Sequence, residues 1–409
     1  MTRLLAFLIA LAVSPVLAEK ITPERITALP AAEQAAWKTY LNRSQTNAAA
    51  DAAALQAELI AKKWTNAVRA PSGGDFNLPA KMDDIYYGRA EAKQLADTLL
   101  SFQTPTGGWS KHTDYGKGPR RTGIQWTSQN EPGQKAHYVA TFDNHATTEE
   151  LYFLAAVGNA TKREDCKVAF IKGLNFILAA QFPNGGWPQV YPLEGAYHDD
   201  ITFNDDAMTR ILELLHAIKQ NEPYYAFLSE SQRRKAIAAL EAGLRCVLQA
   251  QIIQDGKKTA WCAQYDALAI QPAAARTMEP ATLSGLESAH LLHFLMTITN
   301  PTPEIVAAIE GGLSWLERTK ISGLTKSKLD GKTVYASNPD STEVYWSRFY
   351  NLTNNQPVFP GRDGIVYSTY AEMAARNQVG YDYMTTLPGS ILNNGQKKWR
   401  KMLAGSKKK

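Results

Sequence analysis

The chain has 409 residues, 44% hydrophobic and 20% charged, with a formal charge of +5. That length suffices for one large domain or two ordinary ones. Cys166, Cys246 and Cys262 allow one bridge at most and match no zinc motif, so they read as buried apolar residues, with a bridge between two of them open in an oxidising compartment.

Residues 1–18 hold Arg3, an apolar run from Leu4 to Val13 and the small-residue site Val16-Leu17-Ala18. This pattern predicts a secretory signal peptide, too short to span a membrane, and therefore an exported protein, periplasmic or secreted, with no membrane association once it is removed. The mild positive charge that remains fits an anionic partner without identifying one. Residues 19–80 are Ala-rich and helical in period, with caps such as Thr22-Pro23-Glu24, and end at Pro71-Ser72-Gly73-Gly74. They predict a helical segment packed on the main body rather than a domain of its own.

From residue 81 onward the chain repeats itself. Leu99 to Trp109, Leu178 to Trp187 and Leu248 to Trp261 resemble one another, and their Trp residues are spaced by 78 and then 74 positions. Before each Trp an apolar face ends on Gln: Leu95, Leu99 and Phe102; Val168, Ile171, Leu174 and Leu178; Ile237, Leu240, Leu244 and Val247. A Gly-rich turn then stops the helix. Second helices are expected from Asp143, from Asp205 and near Thr282, the middle one with Met208, Ile211, Leu212, Leu215 and Ile218 on one face. A weaker fourth unit runs from Leu313 to Trp346. Helix pairs cannot bury their apolar faces alone, so the prediction is an all-α fold, an (α/α)3 toroid or barrel over residues 81–395, with a basic solvated tail at 396–409.

Two second helices open on acidic and amide side chains: Asp143-Asn144-His145 and Asn204-Asp205-Asp206. Taken singly, each reads as an ordinary N-cap. Their recurrence in equivalent loops points instead to a shared mouth, joined there by Lys111, His112, Arg276, Arg348 and Arg362. Arg forks pair with carboxylates and aromatic faces lie against sugar rings, so the set looks like a cleft for an acidic sugar polymer. His112, His137, His145 and His198 lack the helical pair of a transition-metal site and read as surface or capping residues. Trp109, Trp187 and Trp261 read as loop anchors, while Tyr345, Trp346 and Tyr350 divide evenly between core and sugar platform.

The segments Thr141 to Thr147, Gly185 to Gln189, Asn204 to Met208, Tyr265 to Pro280, Arg348-Phe349-Tyr350 and Gly361 to Gly364 resemble the pectate lyases of polysaccharide lyase family 10 over about residues 80 to 395. The resemblance implies calcium-assisted β-elimination on polygalacturonate, giving 4,5-unsaturated oligogalacturonides. It assigns Arg276 as the base that takes the C5 proton, Asp205 with Asp143 and Asn144 to the Ca2+ and substrate-carboxylate region, and Lys111, Thr147, Arg348 and Arg362 to substrate. Elimination next to a uronate carboxylate needs its charge neutralised, and calcium accepts irregular sets of hard oxygens. A guanidinium is a base only when its pKa is lowered, which nearby cations favour; an alkaline optimum follows.

Two other readings use the same residues. A glycoside hydrolase would employ Asp143 and Asp205 as acid and base without calcium. A binder of acidic polysaccharide would need the cations but not two acidic clusters. A prenyl cyclase is disfavoured by the Lys and Arg of the cleft. The expected partner is polygalacturonate, with no nucleic acid, and the expected state is a monomer.

Overall fold

Each repeated Trp folds back onto the helix it follows. The indole N–H groups of Trp109, Trp187 and Trp261 donate to the carbonyls of Leu99 (2.8 Å), Ile177 (2.9 Å) and Val247 (2.8 Å). All three side chains are fully buried, so the anchoring role expected of them holds. Trp346 repeats the contact with Leu316 O at 2.8 Å, which marks the weak fourth unit as a real echo of the others. In this computed structural model the described residues are 20–76, 82–128, 139–329 and 331–406. The expected signal peptide, His137 and the final three lysines lie outside them.

About half of the chain is helical. In order come Pro23–Thr27 (α1), Ala31–Lys62 (α2), Asp84–Tyr87 (α3), Ala90–Phe102 (α4), Thr148–Thr161 (α5), Glu164–Ala180 (α6), Ala207–Lys219 (α7), Glu230–Ala250 (α8), Gly285–Leu295 (α9), Pro303–Arg318 (α10), Tyr370–Ala375 (α11), Leu387–Ser390 (α12) and Gln396–Ser406 (α13). Helices α5 and α6, α7 and α8, and α9 and α10 pack as pairs. The first members α5, α7 and α9 touch in series, and α4, α6, α8 and α10 form a second series. All five apolar residues expected on one face of α7 are fully buried. In α6 the expected face is displaced: Val168 is 62% exposed, whereas Phe170, Leu174 and Ile177 are buried, because neighbours on several sides select a broader stripe than one row of side chains.

The helices do not stop on glycine. Gln103, Gln181 and Gln251 end α4, α6 and α8 in extended conformation, with ψ of 124°, 128° and 123°. Each then uses its amide twice. Gln103 donates to Gly107 O and Ala169 O, both at 2.9 Å, Gln181 to Gly185 O (3.0 Å) and Ala239 O (2.9 Å), and Gln251 to Thr259 O and Ala308 O, both at 2.9 Å. One bond closes the local loop and the other reaches the next outer helix. Gly185, at φ +94°, is needed for close approach, since a Cβ there would lie 2.2 Å from Ala242 O.

The segment before the repeats lies across α6. Trp37 and Tyr40 of α2 are buried, Tyr40 OH donates to Ala180 O (3.1 Å), and the Arg43 guanidinium donates to Ala179 O through Nε (3.1 Å) and Nη2 (2.9 Å). These bonds satisfy carbonyls that the end of α6 leaves without helical partners. Arg25 of α1 pairs with Asp266 at 2.6 Å.

Strands were not expected. Ile201–Thr202 (β1), Ile253–Gln254 (β2), Lys257–Lys258 (β3) and Gln264–Tyr265 (β4) form short antiparallel pairs, β1 with β4 and β2 with β3. A longer hairpin joins Leu324–Leu329 (β5) to Lys332–Ser337 (β6), with Leu329 opposite Lys332. Asp330-Gly331 between alternating runs is the hairpin signal that corrects the all-α reading. The tail is corrected too: α13 buries Trp399, and Arg400 pairs with Glu310 at 2.9 Å. All three cysteines are buried free thiols.

Candidate active site

Helices α5 and α7 are not capped by the acidic residues that precede them. Neither Thr147 nor Asp206, the residues at their N-cap positions, makes a side-chain cap bond, whereas Ser284 caps α9 through Glu287 N (3.3 Å). In the first two units the chain instead makes tight turns with left-handed residues: Asn144 at φ +50°, His145 at +64°, Asp205 at +49° and Asp206 at +62°. Thr147 is the most strained, a β-branched residue at φ +66°, ψ −47°, spanned by the 2.8 Å bond from Thr148 N to Ala146 O. That is a γ-turn with positive central φ, a rare conformation. Such strain, about 1–3 kcal/mol for each residue, persists where surrounding structure over-determines it, commonly at functional sites.

The two turns are held side by side. The His145 ring lies 3.2 Å from Glu149 and 3.8 Å from Asp206, and Asp206 also bonds His290 of α9. The bonds to Asp206 and Glu149 push His145 up to about 9. Burial works against the Asp206 charge, but the two imidazoles outweigh it and hold the carboxyl well below its usual range.

Cations close over these acids. Lys111 pairs with Asp143, which is buried and whose Oδ1 accepts no hydrogen bond. Arg348, also buried, directs Nη2 to Asn204 Oδ1 (2.8 Å), Asp205 Oδ1 (2.9 Å) and Glu287 Oε1 (2.8 Å). Its burial opposes the charge, yet Glu287 and Asp205 keep its pKa above the ordinary value. Asp205 itself stays about a third exposed, at 31%. Asn144 Nδ2 donates to Asp75 Oδ2 at 3.3 Å, and Asp75 pairs with His112 at 2.7 Å.

Arg276 stands at the edge, its side chain 45% exposed. Glu279 clamps it, accepting from Arg276 N (3.0 Å), Nε (2.8 Å) and Nη2 (3.0 Å), and Nη2 and Glu279 both bond the Tyr381 hydroxyl. The Tyr381 ring lies 5.2 Å from the Arg276 guanidinium and 4.6 Å from that of Arg348, in cation–π range. Partial burial disfavours the charge on Arg276, but Glu279 prevails and raises its pKa, the opposite of the lowering expected from nearby cations. His198 is buried rather than at the surface; burial and the positive charges of Lys111 and Arg276 push it down to about 4, which places it near both.

Thus Lys111, Asp143, Asp205, Arg276 and Arg348 come together, with Asn144 on the turn beside them. Arg362 lies outside this group, exposed, with Nε on Val379 O at 3.2 Å. Thr147 lies beneath it: fully buried, its hydroxyl accepts from Trp109 N (3.0 Å) and donates to Thr141 O (2.9 Å). Ser288 makes the same bond to Trp261 N (2.9 Å) in the third unit, where there is no acidic turn, so this hydroxyl serves the loop architecture. Tyr345, Trp346 and Tyr350 are buried and belong to the core. Glu279, Glu287, His290 and Tyr381 were missed; only Glu279, three residues after Arg276, carried a local signal.

The site suits an acidic ligand and a hard cation. The unsatisfied Asp143 oxygen and the partly open Asp205 are anionic oxygen donors of the kind calcium prefers. Among the described residues no group of three or more His, Cys, Asp or Glu converges to hold a metal, so the protein side chains offer only part of a coordination shell.

Residues 103–392 match the pectic acid lyase family. The fold is similar to that of the family 10 polysaccharide lyase from Cellvibrio cellulosa, with a TM-score of 0.67 and 33% identity over 76% of this chain and 94% of that one. It is equally similar to an Asp-to-Ala mutant of that lyase in complex with trigalacturonic acid, with a TM-score of 0.66 and 33% identity over 76% and 95% of the two chains. No curated protein matches the chain.

Proposed function

The chain belongs to the pectic acid lyase family, and from that premise we propose that it cleaves α-1,4-linked polygalacturonate by calcium-assisted β-elimination, leaving 4,5-unsaturated oligogalacturonides. The carrying observation is the pair of left-handed acidic turns closed over by Lys111, Arg348 and Arg276. Acids alone would repel a uronate; interleaved with cations they hold one and leave oxygens for a metal. Calcium, when bound, neutralises the carboxylate beside the reacting carbon. Asp205, with Asp143 and Asn144, would hold it.

The side chains divide the remaining work. Lys111 and Arg348 pair with carboxylates and orient the chain. The clamp from Glu279 uses Nε and Nη2 of Arg276, so Nη1 is the nitrogen we assign to the substrate. Neutral Arg276 takes the C5 proton, the C4–C5 double bond forms, and the C4 glycosidic bond breaks with its electron pair on the leaving oxygen, which is then protonated by water. Glu279 opposes the neutral form, so rising pH favours reaction and the optimum lies on the alkaline side. The support for a three-hairpin (α/α)3 toroid is the Gln relay between successive outer helices. Export after signal removal and a monomeric state complete the proposal.

Ultraviolet absorbance of polygalacturonate with the purified protein at alkaline pH tests the reaction. A rise abolished by a chelator and by Arg276→Ala is expected. New reducing ends without absorbance would mean hydrolysis and sink the elimination.

A further inference from the structure

The hairpin of β5 and β6 touches α11 through Tyr370, whose hydroxyl donates to Thr333 O at 3.2 Å, and beside that contact lies a groove of 680 Å³. That is inside the range of about 300–1,000 Å³ typical of small-ligand sites. Its lining is of two kinds. Ala371, Ala374 and Val379 give a smooth apolar surface against which the C–H face of a sugar can lie, with Tyr335 and Tyr381 beside it. Lys332, bonded to Asn377 Oδ1 at 2.6 Å, adds a cation and an amide.

We infer that this groove binds uronate residues of the same polysaccharide chain, beyond those that contact Arg276; the inference rests on the proposed substrate. Continuity is the first argument. Tyr381 lines the groove while its ring supports the guanidinium groups of Arg276 and Arg348, and the carbonyl of Val379, also in the lining, receives Arg362 Nε. The groove therefore adjoins the guanidinium groups at the edge of the acidic turns through Tyr381.

Charge is the second argument. The hairpin carries Lys326, Lys328 and Lys332, and Lys326 lies 5.9 Å from the Tyr335 ring. Asp382 in the lining and Glu343, which bonds Tyr345, are the opposing acids. Of the three lysines, Lys332 lines the groove itself. A uronate carboxylate in the groove gains the Lys332 ammonium as a partner.

Calorimetric titration of the full chain in an Arg276→Ala background, with calcium present, compares trigalacturonate and hexagalacturonate. The hexamer is expected to bind about tenfold more tightly, a gain of about 1.4 kcal/mol. Lys332→Glu, at an exposed strand position that leaves the core intact, and Ala374→Trp, which fills the groove, should each remove that gain and leave trimer affinity unchanged. A hexamer that binds no better than the trimer, variants that keep the gain, or equal losses for both oligomers would overturn the groove. If the gain and its loss are seen while the Arg276-intact protein makes no unsaturated product, the elimination reading fails and the groove stands. Absence of binding by either oligomer overturns both.

Discussion

Arg276 and Thr147 show how much a single residue's surroundings decide. The sequence places both at the mouth, but the buried hydroxyl of Thr147 is spent on Trp109 and Thr141, while Arg276 keeps nearly half of its side chain open. Arg276, the proposed base, is held through Glu279, so Glu279→Gln should lower kcat about a hundredfold with little change in KM, the size of loss expected from a misplaced catalytic group. Initial rates from the absorbance assay over a substrate series would show it, and a change confined to KM would refute the positioning role. Glu150 makes a separate prediction. It is buried in α5, accepts from Tyr115 OH at 2.9 Å, and burial pushes its pKa up to about 8 from 4.5. A raised carboxyl favours the fold fully below its unfolded value, and that contribution disappears as pH rises through about 8. Glu150→Gln should therefore raise Tm at about pH 9 and change it little at about pH 5 in thermal melts.

At the scale of elements the repeated Gln residues are the joints. Gln181→Ala strands the carbonyls of Gly185 and Ala239 and should cost about 1–3 kcal/mol in urea unfolding, the penalty for buried groups left without partners. A cost near zero would show that water replaces the amide. These joints were legible because they are local: a helix ending on Gln, a Gly turn and a Trp recur in the chain. The acidic turns were legible as a cluster but not as turns, since Asp and Asn before a helix carry the same letters whether they cap it or adopt positive φ. The hairpin of β5 and β6 had its signal in Asp330-Gly331, a single dipeptide in a chain whose dominant period is helical. Tyr381 had none, because it reaches Arg276 across 105 positions and only the folded chain brings them together.

For the whole molecule, the question is whether residues 20–62 are an appendage or a part of the body. Trp37 is 1% exposed, its ring 5.4 Å from that of Phe182, and α2 supplies the partners for the last carbonyls of α6. Trp37→Ala should thus cost about 3–5 kcal/mol and move one cooperative transition. A separate, earlier transition would mark an independent appendage. The sequence showed that this segment was helical; its role as a brace depends on Tyr40 and Arg43 meeting a helix end some 140 residues away, which no local pattern encodes.

The three Gln bridges all point forward along the chain, from α4 to α6, from α6 to α8 and from α8 to α10. Such an array has a direction. A duplicated hairpin inserted between two units would find a donor waiting behind it and present its own donor to the acceptor of the unit ahead, so the body could lengthen by gene duplication without inventing a new joint. Reversing or shuffling units gives no such match, which leaves tandem copying as the route by which this architecture can grow.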